Sequence, residues 1–144
     1  MTHLNKLTIW YATLSPDTLP DIRRLYAPTA SFKDPFNDVI GVDAIEKIFV
    51  HMFSTTEHPR FIFGEIIQQE QQAFLTWEFI FTLKGKEYTV KGGTHLHFDD
   101  AGLVTMHRDY WDAAEELYAK LPLLGALMRW LARRLSSQHH PLHR

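Results

Sequence analysis

The stretch that most constrains this chain runs from Gly92 to Asp112. There, two runs rich in β-branched, aromatic and alternating residues flank Asp99-Asp100-Ala101-Gly102. That arrangement is hairpin chemistry. With Asp100 and Ala101 in a type I turn and Gly102 in the left-handed position, Asp99 pairs with Leu103. Counting outward then sets His97 opposite Thr105, His95 opposite His107 and Gly93 opposite Asp109. Because side chains alternate with period two, all of these share a face with Trp111. The other face carries Leu96, Phe98, Val104, Met106 and Tyr110. Ionisable groups on a face that ends in tryptophan suggest a few polar groups set in an apolar wall, the usual form of a small-molecule pocket.

A chain of 144 residues, 45% hydrophobic and 13% aromatic, suits one domain with a substantial core. The formal charge of −2, with both signs interspersed, gives no basic footprint for nucleic acid. There is no cysteine, which excludes disulfides and thiolate chemistry. The first residues, Met1 to Lys6, show no apolar run of signal-peptide or membrane-span length, so a soluble, cytoplasmic protein is expected.

Leu4, Leu7, Ile9, Trp10, Tyr11 and Leu14 recur at helical spacing until Ser15-Pro16-Asp17 stops the pattern. Asp17 caps a second predicted helix with Pro20 in its opening turn and Leu19, Ile22, Leu25 and Tyr26 on its buried stripe, ending at Ala27-Pro28-Thr29. Residues 30–36 read as a short extended segment broken by Pro35, which leaves Asp34 at a strand end. Gly41 precedes a third helix with Ile45, Ile48, Phe49, Met52 and Phe53 on one face. Alternation then marks strands through Phe61, Phe63, Glu65 and Ile67, and through Leu75, Trp77, Phe79, Phe81 and Leu83. Lys84-Gly85-Lys86 supplies a turn before Tyr88-Thr89-Val90 leads into the hairpin. Asp112 with Glu115 is a capping-box pattern for a helix from Ala113 to Lys120. Helices followed by a run of strands indicate an α+β fold: a curved antiparallel sheet wrapped around N-terminal helices into a cone.

Tyr11, the run from Leu25-Tyr26-Ala27 to Phe32-Lys33-Asp34-Pro35, Gly41 to Ile45, and His95 to Gly102 continuing through His107-Arg108-Asp109-Tyr110-Trp111-Asp112 together resemble the nuclear transport factor 2-like superfamily. The resemblance is to its SnoaL-like and ketosteroid isomerase-like members and spans about residues 5–120. It implies a dimerising cone, a cystatin-like α+β barrel. SnoaL-like polyketide cyclases use a histidine and an aspartate on the last hairpin, which His95 and Asp109 resemble. Ketosteroid isomerases use an aspartate before a proline as base and a first-helix tyrosine as oxyanion donor, which Asp34 and Tyr11 resemble. Their second, acidic oxyanion donor falls at Thr94, and Gly92-Gly93 invites a bulge that would shift the register there. Limonene epoxide hydrolases share an aspartate resembling Asp109, but their arginine and second aspartate fall near Trp77 and Phe79.

The candidate catalytic residues are therefore Asp109, His95, Asp34 and Tyr11. Trp77, Phe79, His107, Trp111 and Phe36 are the candidate ligand-binding wall. In this expectation Asp109 or Asp34 removes a proton or activates water while His95 or Tyr11 donates to a developing oxyanion, with no cofactor. The bland alternatives are an ion pair of Asp109 with Arg108 or Arg23, a turn role for Asp34, and core hydrogen bonding for His95 and Tyr11. His95, His97 and His107 also raise a zinc alternative, set aside because His97 lies near the turn and a carboxylate already accounts for His95.

Three segments result: a cone domain over 1–120, an amphipathic helix over 121–136 and a disordered tail over 137–144. The expected partners are a small apolar molecule and a second copy docked through Leu96, Phe98, Val104 and Met106. The C-terminal helix either docks on the protein or touches an anionic membrane through Arg129 and Arg133.

Overall fold

The structure, a computed structural model, describes residues 2–116 and residue 133. The expected C-terminal helix, Arg133 apart, and the tail lie outside the described residues. Two turns in the first helix α1, His3–Ala12, are set by local chemistry. Thr2 Oγ1 accepts the Asn5 N–H at 3.0 Å as an N-cap. At the other end the Thr13 hydroxyl donates back to the Ile9 carbonyl at 2.7 Å. A single 3-10 turn, Leu19–Asp21, then runs into the short α2, Ile22–Leu25. The expected Asp17 cap is replaced by reciprocal hydrogen bonds between Ser15 and Thr18. Helix α3, Val42–Thr55, starts at Gly41, whose φ of +107° lies in the region that favours glycine.

Six strands form one curved sheet in the order β2-β1-β6-β5-β4-β3. They are β1 (Tyr26–Lys33), β2 (Asp38–Ile40), β3 (Glu57–Gln69), β4 (Gln72–Leu83), β5 (Lys86–Phe98) and β6 (Val104–Tyr110). Two features depart from the sequence reading. Tyr26 begins a strand instead of closing a helix, and β1 runs parallel to β6, so the sheet is mixed. Ala113–Glu116 are helical, and Asp112 Oδ1 accepts the Glu115 N–H at 3.2 Å as the capping pattern implies.

Leu4, Leu7 and Trp10 of α1 and Ile45, Ile48 and Phe49 of α3 pack on Phe32, Leu75, Leu96 and Val104 of the inner sheet face. A second cluster, Trp77, Phe81 and Val90 with Phe36, Phe61, Phe79 and Trp111 against it, makes the other end of the core almost entirely aromatic. Leu96 and Val104 are fully buried in the domain's own core, and Phe98 packs against them. The expected docking face for a second copy is thereby corrected at Leu96, Phe98 and Val104, which the domain's own core covers, while Met106, past a shift in register, pairs with His97 and is half-buried. Among the described residues no helix is long and apolar enough to cross a membrane.

The hairpin turn forms as its residues dictate. Asp99 N–H donates to the Leu103 carbonyl at 2.9 Å, Gly102 has a φ of +85°, and Asp99 Oδ1 accepts the Ala101 and Leu103 N–H groups, each at 2.9 Å. Beyond the turn the register differs. Phe98 pairs with Val104 but His97 pairs with Met106, so Thr105 is an extra residue in β6, a β-bulge. The Thr105 hydroxyl donates to the His97 carbonyl at 3.3 Å, which ties the bulge down. No bulge forms at Gly92-Gly93, where pairing with β4 continues unbroken. Gly92 instead lets the Trp77 ring lie against the strand, since a Cβ there would sit 2.6 Å from that ring and 2.8 Å from the Tyr110 carbonyl oxygen. Gly92→Ala should therefore destabilise the fold by about 1–3 kcal/mol through overpacking. Chemical denaturation checks this, and an alanine variant as stable as the wild type would show that the close approach does not matter.

Candidate active site

One extra residue reverses the parity of every β6 side chain after it. Leu96 now opposes His107 and Thr94 opposes Asp109, and these four face the core. His95 opposes Arg108 and faces outward. The expected His95–Asp109 pair does not form: the two side chains lie on opposite sides of the sheet because Thr105 bulges. His95 Nε2 is instead 2.9 Å from Gln72 Oε1, and its ring meets that of His97 at 4.8 Å. Partial burial first, and the neighbouring His97 second, hold its pKa below the ordinary histidine value. His95, His97 and His107 do not converge, and among the described residues no three His, Asp or Glu side chains are placed to hold a metal ion.

Inside, an unbroken hydrogen-bonded chain crosses the core. Trp77 Nε1–H donates to Thr94 Oγ1 at 2.7 Å. An indole can only donate, so the Thr94 hydrogen is directed onward, to Asp109 Oδ1 at 2.6 Å. The same oxygen lies 2.7 Å from His107 Nε2. His107 Nδ1 is 2.6 Å from the Tyr26 hydroxyl and 3.3 Å from the Tyr11 hydroxyl, and the two phenols hydrogen-bond to each other. Burial above all holds both phenols far up in pKa, with the Asp109 charge adding to it, so they act as neutral O–H groups. Asp109 is paired with neither arginine named above: Arg23 binds Asp43 and Glu46, each at 2.6 Å, and Arg108 lies over the Tyr110 ring. Both hydrogen bonds reach Oδ1. Oδ2 has no partner among the described residues, no buried polar side-chain atom there is left unsatisfied, and the side chain is 18% exposed, so Oδ2 is the oxygen open to the cavity.

Asp34 follows β1 and is held by its own turn. Its Oδ1 accepts the Phe36 N–H at 2.8 Å, the Asn37 N–H at 2.7 Å and the Asn37 amide at 3.1 Å. These bonds favour the carboxylate. Burial, and next the charge of Asp109, outweigh them and push its pKa up to about 6 from 3.8. The turn role expected as the bland alternative is real, and it aims the carboxylate inward.

Asp34 and Asp109 both border a cavity of about 100 Å³ whose other walls include Phe36, Phe61, Trp77, Phe79 and Trp111. An adjoining space of about 20 Å³, room for roughly one water, lies among Tyr11, Thr94, His107 and Asp109. The structure therefore gathers Asp34, Asp109, Tyr11, His107 and the expected aromatic wall, and leaves out only His95. Two residues of the site escaped the sequence reading. The spacing puts Tyr26 on a helix stripe, though Pro28 two residues later argues against a continuing helix. Thr94 shares a face with Asp109 only because of the bulge in β6.

The model of the SnoaL-like domain family matches residues 7–107. No curated protein matches the chain. An NTF2-like protein of unknown function from Burkholderia pseudomallei K96243 superposes with a TM-score of 0.69 at 18% identity, over 78% of this chain and 92% of its own. A protein of ketosteroid isomerase-like fold from Catenulispora acidiphila DSM 44928, solved in complex with trimethylamine, gives 0.69 at 15% identity over 85% and 96%. A protein from Jannaschia sp. CCS1, provisionally named a SnoaL-like polyketide cyclase, gives 0.70 at 11% identity over 83% and 93%. At these identities the structural likeness concerns the fold, a cone of curved sheet over three helices. Family match and fold agree, and the chain belongs to the SnoaL-like domain family.

Proposed function

We propose that the cavity binds a small, mostly apolar molecule and that Asp34 and Asp109 carry out proton transfer on it without a cofactor, as an isomerase, cyclase or dehydratase would. The observation that carries this reading is Asp34. A carboxyl lifted to about 6 beside a second carboxylate, in a cavity walled by aromatic rings, is poised to take a proton at neutral pH and return it. Asp109, held at Oδ1 by Thr94 and His107, presents Oδ2 as the second acceptor.

Hydrogen-bond direction limits what Tyr11 does. When His107 carries its proton on Nε2, toward Asp109, Nδ1 accepts from Tyr26 and Tyr26 accepts from Tyr11. The Tyr11 hydrogen is then engaged, and its oxygen faces the small chamber as an acceptor. A second proton on His107, at Nδ1, reverses the chain and turns Tyr11 into a donor. The oxyanion role suggested for Tyr11 by resemblance thus requires the reversed chain, in which Tyr11 donates. The competing reading is a binding module without catalysis, favoured by how much of the cone is filled by the protein's own aromatic side chains. A homodimer remains part of the proposal; its surface would be the outer sheet face, where Ile62, Ile67 and Tyr110 are exposed.

Deuterium uptake from solvent into small ketones and aminoketones, followed by NMR, tests the activity. The rate should rise as pH passes upward through about 6, as Asp34 ionises, and Asp109→Asn should lower it by roughly 10²–10⁴-fold with little change in melting temperature. An unfolded Asp109→Asn protein would assign the aspartate a structural role.

Stability gives an independent check. A carboxyl whose pKa is raised on folding contributes stability below the ordinary carboxylate range, and this is lost as pH rises through about 6. Asp34→Asn keeps an acceptor oxygen for Phe36 and Asn37 and carries no charge. It should be more stable than the wild type at pH 8, on the order of 1–3 kcal/mol, and alike at pH 3.5, by urea denaturation. A variant less stable at pH 8 would mean the turn needs the charge.

A further inference from the structure

The side-chain hydrogens around the cavity are nearly all engaged elsewhere in the protein. Trp77 Nε1–H goes to Thr94, the Thr94 hydroxyl to Asp109, and the Thr56 hydroxyl to the Met52 carbonyl at 2.7 Å. Among the described residues that line it, only the Trp111 indole N–H is left to offer a hydrogen, and no lysine, arginine or histidine borders the main cavity, while two carboxylates do. The polar atoms open to it are therefore acceptors, set among aromatic rings whose faces attract positive charge. Such a cavity excludes anions twice over, by charge and by lack of donors. It leaves a neutral ligand with little to recognise it beyond its apolar body.

We infer that this cavity selects a small protonated amine: an ammonium group that donates to Asp34 and Asp109, on an apolar body held by Phe36, Phe61, Trp77 and Trp111. The inference rests on the pocket reading of the proposed function and names its ligand class. Size agrees with it. The cavity, about 100 Å³, is smaller than the roughly 150 Å³ void that holds benzene, so the body is a short branched alkyl group or a small ring. One carboxylate can then anchor the ammonium while the other remains available as a proton acceptor.

Three probes with the same body and different charge test this on the full chain: tert-butylammonium, tert-butanol and pivalate, titrated by calorimetry at pH 8 and pH 5. At pH 8 tert-butylammonium should bind about tenfold or more tighter than tert-butanol, and pivalate should not bind. At pH 5, with Asp34 protonated, the preference for ammonium should fall several-fold. In Asp34→Asn it should already be reduced at pH 8 and should no longer change with pH, while tert-butanol binding is kept and shows the variant is folded. Equal binding of alcohol and ammonium, tighter binding of pivalate, or a preference unchanged in both Asp34→Asn and Asp109→Asn would overturn the amine assignment and leave the pocket standing. Failure of all three probes to bind would overturn the pocket reading as well.

Discussion

Everything specific about this protein's interior depends on one extra residue in β6. Without Thr105 as a bulge, His107 and Asp109 would face outward, and Met106, Arg108 and Tyr110 would face the core. With it, Phe98↔Val104, Leu96↔His107 and Thr94↔Asp109 become three inward pairs in succession, apolar at the turn end and polar toward the cavity. The first pair completes the packing beneath α1. The other two start the hydrogen-bonded chain that runs from Trp77 to Tyr11. A bulge beside a functional pocket is a common way of re-aiming side chains, and here it re-aims two at once.

The polar chain is costly to bury, and its composition shows how that cost is met. Each member has a partner: the indole, the hydroxyl, one carboxylate oxygen, both imidazole nitrogens and both phenols are hydrogen-bonded, and no buried side-chain polar atom among the described residues is left unsatisfied. The exception in energetic terms is Asp34. The N–H donors of its turn favour the charge, yet the carboxyl is held where burial and Asp109 oppose that charge more strongly. A group kept in a conformation that weakens the fold at neutral pH is the pattern expected where stability has yielded to chemistry.

Much of this was legible in the sequence, and the failures have one physical origin. The turn at Asp99 to Gly102, the helix faces of α1 and α3, the strand alternation of β3 to β5 and the position of Asp34 before Pro35 are local signals, and local rules read them. The parity of β6 is not local. Thr105 is an ordinary strand residue, and its bulge lets Val104 and His107 both face the core, where His107 meets Tyr11 and Tyr26. Counting from the turn therefore puts His95 beside Asp109, and a pocket on that face leaves Leu96, Phe98 and Val104 as an apparent docking surface. Tyr26 was misassigned for a similar reason: a helical stripe and the start of a strand look alike until β6 lies alongside β1. The family resemblance points to Asp34, Asp109 and Tyr11, which the fold brings around adjoining spaces, while the face of His95 depends on the register.

Cross-strand proton–proton contacts in an NMR spectrum of the folded chain measure that register directly. The account predicts backbone contacts between Leu96 and His107 and between Thr94 and Asp109, with Thr105 left without a partner on β5. Contacts between His95 and His107 and between Gly93 and Asp109 would contradict it, returning His95 to the face of Asp109 and dissolving the chain that links Asp109 to Tyr11.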